Sequence, residues 1–218
     1  MKRLVVMFVV LSGITGLATA QTVVGSKHDL GVAGLGNTPE VCVYCHSSHQ
    51  ATTADKQDPL WNHTLQALAT TYGVYANPGT LNAVPAEIGG VAAGLAPTSF
   101  LCMSCHDGTV APSSLYNDPN SVAPTAIPAI VGNSNLGTDL TDDHPINFDY
   151  TGALAGADGG LVTPDSTSSV DAGGLIPLFG GTGSLQCASC HDVHDPTNTP
   201  FLRVSNTDSG LCTSCHNK

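Results

Sequence analysis

Eight cysteines constrain this chain more than any other feature. They fall into four pairs, Cys42/Cys45, Cys102/Cys105, Cys187/Cys190 and Cys212/Cys215, and each pair is followed at once by a histidine: His46, His106, His191 and His216. The motifs read CVYCH, CMSCH, CASCH and CTSCH, and no cysteine is left over. C-x-x-C-H is the attachment signature of c-type haem. Two thiols one helical turn apart reach the two vinyl groups on one side of a porphyrin, and the adjacent imidazole projects beneath the ring as the proximal iron ligand. Structural zinc also uses C-x-x-C pairs, but it does not require a histidine after every second cysteine. A redox dithiol needs neither the repetition nor the histidines. The sequence therefore predicts four c-type haems and iron as the only metal.

The second axial position of each iron decides between electron transfer and catalysis. Beyond the proximal set, the candidates are His28, His49, His63, His144 and His194. Methionine is nearly absent: Met1 and Met7 lie in the N-terminal apolar stretch, and Met103, inside the second motif, is badly placed to reach a distal face. Bis-histidine ligation at every iron is the economical expectation, with lower potentials than His/Met haems. His49 and His194 each follow a proximal histidine by three residues, in CHSSH and CHDVH. A residue so placed lies on the same side of its own haem, so as a ligand it must serve a different one. His144 precedes Pro145, which favours an extended backbone there. One candidate is surplus to four irons, and the sequence does not say which.

Residues 1–20 read as a secretory signal peptide: Lys2 and Arg3, an apolar stretch, then Ala18-Thr19-Ala20. The stretch is short for a membrane span, and none is expected elsewhere. Without that segment four basic residues (Lys27, Lys56, Arg203 and Lys218) face 17 acidic ones. No Lys or Arg lies between Lys56 and Arg203, which excludes a phosphate-tracking groove and hence nucleic acid as a ligand.

Residues 21–218 are expected to form one tetrahaem domain with a loop-rich insert at about 107–186, whose Gly, Pro, Ser and Asn content shows little helical period. The predicted fold class is mostly irregular coil, with short helices and few strands, wrapped around a stacked chain of four haems. A helix is expected over 64–75, and a helical turn at each motif. Trp61 and Phe100 are expected on porphyrin faces. The sequon Asn62-His63-Thr64 is discounted, because a glycan there would crowd a candidate ligand.

Several features carry a resemblance: KHDLG before CVYCHSSH, PLWNH, LCMSCHDGTVA, DHPINFDY, QCASCHDVH with FLR following, and LCTSCHNK. The chain resembles the doubled C-x-x-C-H multihaem cytochromes. More narrowly, it is similar to the tetrahaem extracellular cytochromes that polymerise into conductive filaments. The resemblance implies bis-His haems in a stacked chain and a homopolymer in which one subunit's histidine completes a haem of its neighbour. Carried over by motif, that donor is His49. It also implies an exported protein at the cell surface or outside the cell, with periplasmic or outer-membrane redox proteins as donors and external electron acceptors. The residues leave two alternatives open, a soluble periplasmic shuttle and a multihaem reductase with one open haem. No catalytic residue is expected, and the protein is not expected to be an enzyme.

With 5% aromatics and 11% charged residues, the sequence offers little for a conventional core. Porphyrin burial at roughly 25 cal/mol per Å² is expected to supply the missing stabilisation. Haem-free chain should therefore give no cooperative, native-like circular dichroism spectrum; a native-like melt from apo-protein contradicts this.

Overall fold

The computed structural model describes residues 23–31, 40–51, 60–66, 71–77, 79, 81–86, 98–119 and 123–217. The signal-peptide expectation lies outside them. Coil predominates, as expected, with four short helices and two two-stranded pairings among the described residues. The helices are α1 (Thr98–His106), α2 (Gly152–Asp158), α3 (Cys187–Cys190) and α4 (Gly210–Thr213). The strands are β1 (Gly73–Val74), β2 (Asp139–Leu140), β3 (Phe148–Asp149) and β4 (Ser184–Leu185). β1 pairs in parallel with β2, and β3 pairs antiparallel with β4, setting Phe148 opposite Leu185.

Every C-x-x-C-H motif makes a helical turn. The first lies on a 3-10 turn, Val41–Tyr44, and the others on α1, α3 and α4. Gln186 and Ser189 form a capping box that starts α3, with the Gln186 N–H donating to Ser189 Oγ at 3.0 Å. The turn stops at His191, which is extended at φ −115°, ψ 140°.

Side chains form two apolar clusters, more than the composition led us to expect. One unites Phe148, Tyr150, Val170, Ile176, Leu178 and Leu185, with Leu211 and Cys215 of the fourth motif packed against it. The Tyr150 hydroxyl lies 2.8 Å from the Val162 carbonyl and 3.1 Å from that of Cys215, which ties the insert to the same motif. The other cluster joins Tyr72, Phe100, Met103 and Leu140. These clusters add side-chain packing to the porphyrin burial expected above: Val170, Ile176 and Leu178 turn inward on either side of the Asp171 loop, where the carboxylate accepts the Leu175 and Ile176 N–H groups.

Three local expectations are corrected. The helix over 64–75 does not form in the described part: Gly73–Val74 is strand β1, residues 64–66, 71 and 72 are coil, and 67–70 lie outside the described residues. The segment at 61–63 is extended, pairing Trp61 with His46 on one side and His63 with Leu115 on the other. The β-branched Thr71 and Val74 and the adjoining Gly73 suit that geometry better than a helix. Within the insert, α2 forms where no helical period was visible. Thr151 Oγ1 caps it by accepting the Leu154 N–H at 3.1 Å, and Gly159, at φ +70°, ends it. Phe100 is 2% exposed inside a side-chain cluster and offers no free face to a porphyrin. Trp61 is half-buried, edge-on to His46.

Candidate haem-binding site

The backbone of each proximal histidine is pinned by a returning segment. His46 forms a bridge with Trp61, His191 with Leu202, and His216 with Leu161. His106, at the end of α1, is held differently: its carbonyl accepts the Leu136 N–H at 2.7 Å. Gly108 allows that approach. It has φ +72°, and a Cβ there would lie 2.5 Å from Asn135 Nδ2.

The imidazoles of distant residues come together in pairs. His46 faces His194 at 6.1 Å between ring centroids, with planes 16° apart. His28 lies 6.1 Å from His106 at 56°, and His144 lies 6.3 Å from His216 at 72°. A metal bonded to both rings at about 2 Å, with each ring centre about 1.1 Å beyond its nitrogen, requires roughly 6.2 Å between centroids. All three pairs thus have the span that a bis-imidazole iron needs. A zinc site would instead require convergence, and among the described residues no group of three or more His, Cys, Asp or Glu could hold a metal ion.

Two of the pairs contain a ring whose second nitrogen is hydrogen-bonded, and in the third a carboxylate stands nearby. His106 Nδ1–H donates to the Ser134 carbonyl at 2.7 Å, and His144 Nδ1–H to the Pro145 carbonyl at 2.9 Å. His194 Nδ1 lies 3.5 Å from Asp192 Oδ1. Such partners fix the tautomer and leave Nε2 free to bind a metal. Burial, reinforced by His106, His191 and His194, pushes His28 down to about 4. It therefore stands opposite His106 in the neutral form that ligation needs.

The remaining three histidines differ. His191 Nδ1–H donates to the Pro200 carbonyl at 2.9 Å, and no imidazole faces it among the described residues. With Cys187 and Cys190 it lines an open cleft whose other walls include Met103, Leu140, Pro145, Ile146 and His144, the ring already placed opposite His216. His63 is buried, with Nε2–H donating to the Ala111 carbonyl at 3.0 Å, and the same nitrogen lies 3.4 Å from Cys105 Sγ. His49 is exposed. Asn62 is buried and its amide donates to the Val43 and Asn117 carbonyls, so the sequon beside His63 is closed to a glycan.

Six of the eight thiols are partly buried and two, Cys42 and Cys212, are exposed. Burial pushes Cys45 and Cys215 up to about 11 and Cys105 up to about 12. Where α1 meets α3, the Cys187 thiol beside it and burial push Cys102 up, while Cys102 and Ser99 draw Cys187 down to about 7. The same junction buries Ser99 Oγ–H donating to Gln186 Oε1 at 2.6 Å and the Cys187 N–H donating to Ser99 Oγ at 3.1 Å. The carbonyl anchors and this junction were missed in the sequence. Gly108, directly after CHD, was the one visible cue to a close approach there.

Residues 181–218 match the family described as doubled CXXCH motif. No curated protein matches the chain. The match covers the third and fourth motifs and supports a multihaem c-type cytochrome, with haem bound covalently and electron transfer as the general function. No helix among the described residues is long and apolar enough to cross a membrane.

Gly108→Ala should destabilise the haem-loaded protein by about 1–2 kcal/mol, the cost of a left-handed non-glycine residue. Unfolding followed at the haem absorption band measures it, and an unchanged midpoint contradicts the role given to Gly108.

Proposed function

We propose that this chain carries four c-type haems and conducts electrons between them as the subunit of an extracellular filament. Bound haem supplies the ferric/ferrous couple that takes up and releases one electron. Cys42, Cys45, Cys102, Cys105, Cys187, Cys190, Cys212 and Cys215 hold the four groups covalently, and His46, His106, His191 and His216 are the proximal ligands. The facing imidazole pairs carry the proposal, because rings from sequence-distant residues meet at 6.1–6.3 Å, the span that an iron between them needs. His28 then ligates opposite His106, His194 opposite His46, and His144 opposite His216. The junction of α1 with α3, where the Cys187 N–H donates to Ser99 Oγ, brings two attachment edges side by side, as hopping between haems requires.

The imidazoles left over favour the filament over a soluble periplasmic shuttle. His191 holds its tautomer but faces no ring among the described residues, while His49 is exposed. His63 commits Nε2 to Ala111 and is the surplus histidine. A subunit with one ligand to give and one iron to complete makes a heterologous contact, and such contacts grow chains. His49, the donor that the resemblance implies, thus serves His191 of the next copy. Every iron is then saturated, no position is open to a substrate, and the protein is not an enzyme. Export of the chain, donors in the periplasm or outer membrane, and acceptors outside the cell complete the proposal.

The ring angles make it testable. Near-parallel imidazole planes give a rhombic low-spin ferric signal, and steeply inclined planes give a strongly anisotropic one. Electron paramagnetic resonance of oxidised protein should show a rhombic component from His46/His194 and anisotropic components from the pairs at 56° and 72°. A stoichiometric high-spin signal in assembled material instead supports the reductase alternative.

His49→Ala should abolish fibres in electron micrographs and give each reduced chain one haem that binds carbon monoxide. Normal fibres from this variant contradict the proposed donor.

A further inference from the structure

Among the described residues the only lysine or arginine besides Lys27 is Arg203, and it lies against the third motif. Its Nε–H donates to the Ala188 carbonyl inside CASCH at 2.7 Å, and its own backbone N–H donates to the Cys190 carbonyl at 2.9 Å. Its Nη1 donates to Asp192 Oδ2 at 3.0 Å. The other oxygen of that carboxylate accepts the His194 N–H at 3.0 Å and lies 3.5 Å from His194 Nδ1. Arg203 and Asp192 are both three-quarters buried as side chains, so solvent screens this pair less than an open surface contact. One guanidinium thus spans the attachment turn on one side and, through Asp192, the imidazole that faces His46 on the other.

The geometry points to Arg203 as a positioning residue that sets the orientation and electron donation of His194, and through it the potential of the haem at the first motif. The inference rests on the ligation of that haem by His46 and His194. A carboxylate beside the second nitrogen of a ligating imidazole raises its basicity and stabilises the ferric state. Arg203 draws off one oxygen of Asp192 and adds a positive charge, and both actions oppose that effect. Its fork also braces the turn from His191 to His194, and it bears on the ring facing His46 at 16° through Asp192, which accepts the His194 backbone N–H.

The test is a spectroelectrochemical titration of full-length, haem-loaded protein, with electron paramagnetic resonance on the same samples. Arg203→Gln should move one couple to lower potential by about a tenfold change in its one-electron equilibrium, about 59 mV. It should also broaden the rhombic signal. Arg203→Lys keeps the charge but not the fork, so the potential should return part-way while the signal stays broad. Asp192→Asn should move the same couple the opposite way, and it decides the matter if the Arg203 variants fail to load haem. Unchanged potentials and signal, or equal shifts in all couples, overturn the inference while leaving the ligation proposal intact. A wild-type protein without the rhombic signal removes the ligation of the first haem, and the inference with it.

Discussion

An imidazole binds a metal only when it is neutral and aims a lone pair at it, and both conditions must be imposed from outside the ring. Here backbone carbonyls impose the second. Ser134, Pro145 and Pro200 each accept an Nδ1–H, from His106, His144 and His191 respectively. Burial imposes the first at His28, whose protonation is pushed down to about 4. The rest of the fold serves to bring those carbonyls and those rings to the right places. Coil suffices for this, because each histidine needs only one pinned neighbour on either side.

The apolar clusters brace this arrangement. Tyr72, Phe100, Met103 and Leu140 hold α1 against β2, which precedes the 141–146 segment carrying His144. Phe148, Tyr150 and Leu185 tie the insert to the start of the third motif and to Cys215 of the fourth. The long insert is therefore no passive spacer. It carries Ser134, His144 and all six buried side chains of the cluster on which Leu211 and Cys215 pack.

The helical turn at each motif was legible in the sequence because C-x-x-C-H spacing is local and is met by one turn of chain, which the structure forms at all four motifs. The meeting of distant rings was not legible, since nothing local to His28 or His144 records which residue each will face. The helix expected over 64–75 was misread because nothing local records that Gly73–Val74 will pair with Asp139–Leu140, far along the chain, or that Tyr72 will pack with Phe100, Met103 and Leu140. The opposite error, at α2, arose because a capping Thr151 and a stopping Gly159 frame too few residues to display any period.

A chain is made from its N-terminus, and the ring that faces His46 belongs to His194, in the last tenth or so of the sequence. His106, by contrast, faces a residue that precedes it. The first attachment motif to be synthesised is thus among the last to meet its opposite ring, whereas the second can meet its own as soon as residues 132–136 follow. Ribosomes stalled or chains cut anywhere before residue 194 leave the first motif half-furnished, so the order of manufacture runs against the order of completion.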